Sequence, residues 1–247
     1  MNRYASLSDD FYMNLHLQTE MELPQQRETL LHFFELVQKR FPQMLNFYTR
    51  ERNEFVLEED KDAGGYRWIA IEPKRLCSGT VNPPTLEDAL EQHREILKLV
   101  PHALAVSHLD CESLSVMYGF DYTYRGNHNQ LLADTLGLPM ALEGLCINGN
   151  SQLLSYEPSI QFTLDEECAT QVRLNFESRT TGFNVRTGDY GDEQLSVYLT
   201  VRRFDSLGPG QDFVEELDRL ANIGCELLDR HIVENVLRPL QQAIAMK

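Results

Sequence analysis

Between Phe11 and Gln18 every second residue is apolar: Phe11, Met13, Leu15 and Leu17 alternate with Tyr12, Asn14, His16 and Gln18. A period of two puts the first set on one face of a strand and the second set on the other. The spacing changes at Pro24, which opens a predicted helix, because the first helical turn has no use for the N–H that proline lacks. Leu30, Phe34, Val37 and Phe41 form its apolar stripe, and Pro42 ends it by disfavouring the helical conformation at Phe41. Strands are predicted at 44–49, 54–58, 66–71 and 75–81, with Phe55 and Leu57 alternating against Glu54, Val56 and Glu58. The acidic tract 58–65 reads as a hairpin loop between two of them, and the return strand carries the single tryptophan, Trp68. After Pro83 and Pro84, Thr85 caps a second helix with Asp88 three residues on, a variant of the capping box. Leu86, Leu90, His93, Leu97 and Val100 are its stripe, and Pro101 is expected to stop it.

From Ser113 the alternation returns. Leu114, Val116, Tyr118, Phe120, Tyr122 and Tyr124 mark the clearest strand of the chain, rich in the aromatics that favour sheets. Asn127 is placed to cap a short helix that Gly137 stops. Residues 138–150 read as irregular, with a turn at Asn148-Gly149-Asn150. Three strands follow, lined by Ile160, Phe162 and Leu164, by Val172, Leu174 and Phe176, and by Leu195, Val197, Leu199 and Val201. A loop at 179–192 separates the last two. Gly208-Pro209-Gly210 then leads into the longest helix, roughly 211–238, with Leu217, Ala221, Cys225, Leu228, Ile232 and Val236 at helical spacing, and Pro239 is expected to kink or end it.

The fold class these elements predict is α+β. Two tandem β-α-β(3–4)-α units, residues 1–105 and 106–247, form largely antiparallel sheet, as two domains or as one integrated domain. Clean alternation argues that one sheet face is covered by the long helices and the other faces solvent or a partner. This element order resembles that of the TATA-binding-protein-like and helix-grip folds. The resemblance is of order alone and implies no functional residue.

Charge narrows the partners. With 38 acidic and 22 basic residues the net charge is −16, a field that repels nucleic acid and anionic membranes. Two weak basic groups stand out, Arg67 with Lys74 and Arg75, and Arg202 with Arg203; both read as solvated surface charge. The five cysteines, Cys77, Cys111, Cys146, Cys168 and Cys225, are widely spaced and contain no CxxC pair, which is the pattern of reduced thiols rather than a disulfide framework. The first residues lack the apolar core of a signal peptide, and no run of eighteen apolar residues occurs, so a soluble cytoplasmic protein is expected.

Several residue sets invite a chemical reading. Glu20-Met21-Glu22 is similar to the Glu-x-Glu-x-Lys strand that holds a divalent metal in triphosphate tunnel enzymes, but Pro24 stands where that pattern has lysine. The basic residues that such a phosphate clamp needs reduce here to Arg67, Arg173 and Arg202. His102, His108, Asp110, Cys111 and Glu112 offer zinc-type donors without a standard spacing. Asp60 and Asp62, with Asp165, Glu166 and Glu167, offer carboxylates without the calcium-loop spacing. His93 lies on an apolar stripe and is expected to be a hydrogen-bonded interior histidine, His128 an exposed one. The row Tyr118, Tyr122 and Tyr124 could stack bases or sugars, but its alternation with aliphatic residues predicts core, with the hydroxyls reaching the sheet edge. There is no GxGxxG, Walker loop or Gly-x-Ser-x-Gly elbow.

No catalytic or cofactor-binding residue is therefore assigned, and no cofactor is expected. The reading that fits best is a non-enzymatic binding or scaffolding protein acting through a sheet face or a sheet–helix cavity. Its partner would be a protein, a second copy of the chain, or a small apolar ligand. The alternative is a metal-dependent phosphate-ester hydrolase using Glu20 and Glu22.

Overall fold

The structure, a computed structural model, describes residues 2–50, 53–145, 151–208 and 210–246. Nine strands form one antiparallel sheet: β1 (Asp10–Thr19), β2 (Asn46–Arg50), β3 (Glu54–Glu58), β4 (Tyr66–Glu72), β5 (Arg75–Val81), β6 (Cys111–Tyr124), β7 (Ser159–Thr163), β8 (Thr170–Glu177) and β9 (Glu193–Phe204). Their order across the sheet is β2-β3-β4-β5-β1-β6-β9-β8-β7. The first strands of the two halves, β1 and β6, pair along their whole length at its centre.

The helices are α1 (Arg27–Arg40), α2 (Leu86–Ala103), α3 (His128–Leu136), α4 (Met140–Glu143), α5 (Gly182–Thr187), α6 (Phe213–Leu227) and α7 (Arg238–Ala245). The long ones pack on one sheet face. There Phe11, Met13, Leu15 and Leu17 of β1, Leu114 to Phe120 at alternate positions of β6, and Leu195 to Val201 of β9 lie fully buried. With the helical stripes they make one continuous core, so the space between sheet and helices is filled by side chains.

Several polar groups inside this core are paired, while His93 Nε2 and the Tyr122 hydroxyl have no partner among the described residues. Thr85 caps α2 as expected, accepting from the Asp88 N–H at 3.1 Å. Gln92 of α2 is fully buried, accepting from Thr80 Oγ1 and donating to Ser78 Oγ, each at 2.9 Å. His93 joins the same serine at 3.0 Å. Tyr118 donates its hydroxyl to the Ala221 carbonyl of α6 at 2.9 Å, so this tyrosine tip meets a helix rather than the sheet edge. The helix comes this close because position 224 is glycine: a Cβ there would lie 2.3 Å from the Tyr118 ring.

Several local expectations are corrected. Helix α1 begins at Arg27, with Gln26 as its cap, not at Pro24. Pro101 lies inside α2, which runs on to Ala103. Proline's fixed φ is itself helical, and at this late position only one hydrogen bond is lost. The 179–192 stretch contains α5, closed by a capping box between Thr181 and Asn184. Pro239 does not end the last helix. Between α6 and α7 the chain takes a π-helical course over Leu228–Leu237, where the Arg238 N–H reaches back five residues to the Val233 carbonyl. Proline then sits in the first turn of α7, where its missing N–H costs least. Ile160 and Phe162 face the core side but sit on edge strand β7, beyond the reach of the helices, and are 58% and 40% exposed. Asn148-Gly149-Asn150, like Cys146 and Pro209, lies outside the described residues.

Candidate functional site

The second face of the sheet is the candidate site. Its residues follow from the strand register. One row across the sheet runs Cys77, His16, Ser115, Arg202, Gln171, and the next runs Trp68, Gly79, Asn14, Met117, Thr200, Arg173. A third runs Tyr66, Val81, Tyr12, Gly119, Tyr198, Asn175. These are the positions that alternate with the core set. Sequence periodicity assigns them to the open side, but says nothing of their neighbours five strands away.

The face is not simply polar. Val56, Ala70 and Cys77 make a small buried cluster on it with Tyr48 and Trp68 packed alongside. Two glycines serve as beds for aromatic rings. A Cβ on Gly79 would lie 2.3 Å from the Trp68 indole and 2.5 Å from Asn14 Oδ1. A Cβ on Gly119 would lie 2.1 Å from the Tyr12 ring. Glycine in a strand costs β-stability, and here each one permits a flat aromatic contact with the backbone. Tyr12 meets Tyr198 edge-on at 6.3 Å and donates to Asp121 Oδ1 at 3.2 Å. Tyr198 in turn donates to Glu177 at 3.0 Å.

Two buried polar atoms on this face, Asn14 Oδ1 and Arg202 Nε, have no hydrogen-bond partner among the described residues. Four others, Arg67 Nε, His93 Nε2, the Tyr122 hydroxyl and Arg203 Nη1, belong to the helix side; the two on the open face are the ones a docked molecule could reach. Each borders a hollow. One of about 500 Å³ is lined by Tyr12, Asn14, Tyr66 and Trp68; the other, of about 230 Å³, by Met117, Arg173, Thr200, Arg202 and Phe204. His16 lies between them. Burial, with help from Arg75 and Arg202, pulls its imidazole down to about 4, so it is neutral at pH 7.

Arg202 and Arg203 are neighbours in sequence and so point to opposite faces. Arg203 lies on the helix side, 3.9 Å from Glu216. Arg202 lies on the open side with Arg75 and Arg173 near enough to act on its charge. Read as one weak basic pair, they hid this cluster; a strict period-two reading separates them. Arg67 is also removed from it, over the Phe41 ring and paired with Glu59.

The other singled-out residues are not brought together. Glu20 and Glu22 are exposed and lie past the end of β1, so they do not project from one strand face. The Glu20 carbonyl accepts from Lys74 at 2.6 Å. His108 packs on Phe213 at 5.0 Å, Asp110 accepts from the Met21 N–H, and Cys111 is buried with its thiol pushed up to about 12. Asp60 caps its own turn by accepting from Asp62, and Asp165 accepts from Ala169 and Thr170 in the β7–β8 hairpin. Among the described residues no three His, Cys, Asp or Glu side chains converge as a metal site would require. His128 is buried rather than exposed, its ring bonded to the Tyr124 carbonyl at 3.1 Å. Tyr118 and Tyr122 are core. Cys77, Cys111, Cys168 and Cys225 are free thiols. No helix of the described residues is long and apolar enough to cross a membrane.

No model of a known protein family matches the chain, and no curated protein matches it.

Proposed function

We propose that this is a non-enzymatic binding or scaffolding protein that docks a protein partner on the open face of its sheet. One observation carries the reading. The face holds Trp68, Tyr12 and Tyr198 seated on or beside glycine, next to two buried polar atoms without partners. Tryptophan, tyrosine and arginine dominate binding hot spots because they combine area, stiffness and a polar handle. The packed core between sheet and helices favours the sheet face over a sheet–helix cavity as the place of binding.

The test is site-specific photo-crosslinking in the source cell. A crosslinker replacing Gln194 or Asn175, both on the open face, should trap a discrete partner or a second copy of the chain. One replacing exposed Glu91 on α2 should not. Equal labelling from both faces, or none from either, rules the reading out. A trapped second copy makes the complex a homo-oligomer.

The two halves act as one unit in this reading. β1 joins β6 along its full length. Tyr4 donates to Asp229 at 2.8 Å, and Arg94 bonds Asp218 at 2.8 Å, each across the halves. Residues 1–105 and 106–247 expressed separately should each lack a cooperative thermal transition, and mixing them should restore one. A cooperative transition in either half alone would make them independent domains.

A further inference from the structure

The 230 Å³ hollow on β6, β9 and β8 has a charge pattern that the rest of the molecule does not explain. The chain carries −16 overall. Arg202 nonetheless lies half-buried at the hollow's wall, forming no ion pair among the described residues, with its Nε buried and unpartnered. Its plane sits 5.5 Å over the Phe204 ring, which holds the fork in place. Arg173, two strand positions along on β8, forms no ion pair among the described residues either, and its Nε reaches only Ser159 Oγ, at 3.3 Å. Arg75, beyond β6 and β1, adds a third positive charge that Glu72 offsets. The small side chain of Ser115 lies between His16 and Arg202 in the same row.

Arg202 and Arg173, with Arg75 only partly offset by Glu72, repel one another unless an anion joins them, and the neutral His16 imidazole adds no counter-charge. Burial and the two neighbouring arginines together depress the Arg202 pKa, with Glu112 only a weak counterweight. A charged group held this way is a cost to folding, and a ligand that completes it recovers that cost. The hollow is smaller than an ordinary cofactor pocket of about 300–1,000 Å³, so it suits one functional group with a short stem. A guanidinium fork matches a carboxylate in geometry. Met117 and Phe204 offer apolar walls for its methylenes. Flanking carboxylates at Asp10, Asp121 and Glu177 on one side and Glu54 and Glu72 on the other disfavour a densely anionic polymer. A protein segment that presents one acid amid basic residues suits both features.

We propose that this hollow is the seat of an acidic side chain carried by the docked partner, its carboxylate clamped by Arg202 and Arg173. The proposal rests on the docking function assigned to the open face and adds the chemistry of the bound group.

The probe is N-acetylglutamate α-amide, whose one carboxylate is that of the side chain, with N-acetylglutamine α-amide and inorganic phosphate as matched comparisons. The readout is the Nε–H resonances of Arg202 and Arg173 in ¹⁵N-labelled protein. N-acetylglutamate α-amide should shift both saturably, at least tenfold more tightly than N-acetylglutamine α-amide, and Arg202→Gln and Arg173→Gln should each remove the effect. Equal response to N-acetylglutamine α-amide, or no saturable response, overturns the site. Tighter binding of phosphate overturns the carboxylate assignment and makes the ligand a phosphate ester. Arg202→Met should melt at the same temperature as the wild-type protein or above it; a lower melting temperature would make Arg202 a structural residue. Open-face crosslinking separates the two readings. Crosslinks of full strength in Arg202→Gln overturn the carboxylate seat and keep the docking face, whereas a carboxylate response without any crosslink keeps the seat and overturns the docking face.

Discussion

Acidification from pH 6.5 to pH 3 should destabilise the protein through His93 by about 1.4 kcal/mol for each pH unit, and a His93→Gln variant should lose that slope. The imidazole is fully buried at the junction of α2 and β5, bonded to Ser78 Oγ at 3.0 Å. Burial holds its pKa down to about 3, with the Met13 carbonyl opposing only in part. In the unfolded chain the same group titrates near about 6.5. Between these values the unfolded state binds a proton that the folded state refuses, so stability falls as pH falls. The contribution is complete above about pH 6.5 and is lost as pH drops toward 3. His16, pulled down to about 4, and His128, also lowered by burial, add to the slope in the upper part of the window. Down to the isoelectric point near pH 4.8, protonation of the 38 carboxylates relieves self-repulsion and works the other way; below it positive charge accumulates, and Glu177, whose pKa its bond to Arg179 lowers, adds to the loss. The measurement is therefore a difference: urea unfolding of wild type and His93→Gln at half-unit intervals from pH 7 to 4. Parallel curves would mean that the histidine is solvated or pairs with a carboxylate.

Gly224→Val should cost about 3 kcal/mol, the upper end for overpacking a core. The new Cβ would meet the Tyr118 ring at 2.3 Å, and that ring is fully buried with its hydroxyl held by Ala221. Neither partner yields cheaply. Helix propensity alone runs the other way, because valine is a better helix former than glycine by a few tenths of a kcal/mol. Trimming the ring should relieve the clash, so Tyr118→Leu combined with Gly224→Val should cost less than the two single changes added together. Thermal or urea unfolding of the four proteins tests it. Additive costs would show that α6 does not rest on Tyr118.

The strands were the most legible part of the chain. On β1 and β6 alternation alone identified which side chains are buried, because a sheet with one covered face imposes period two on its sequence. The same rule reached too far at β7. Ile160 and Phe162 keep the alternation, but they lie on an edge strand that the helices do not cover, and alternation carries no information about how wide the helical layer is. Prolines were misread in a consistent direction. Pro101 is expected to end its helix, whereas α2 runs on through it; Pro239 is expected to kink or end its helix, and the chain continues past it after a widened, π-helical stretch. The candidate site was hidden for a different reason. Arg202 and Arg173 sit 29 positions apart in sequence and Arg75 lies almost 100 positions before Arg173, so no local window holds the cluster.

What the sequence by itself determined is the strands and the longer helices, the face of each strand that turns inward, and an acidic field that narrows the choice of partners; the short helices α4 and α5 escaped it. These are local or additive properties: hydrophobic spacing, caps and summed charge. Only the tertiary structure decided that the strands make a single sheet with β1 against β6, that Gly224, Gly79 and Gly119 are places of close approach, and that Arg202 stands near Arg173 with its Nε unpartnered among the described residues. Those depend on strand order and register. Both are set by long-range burial, which no stretch of the chain encodes alone.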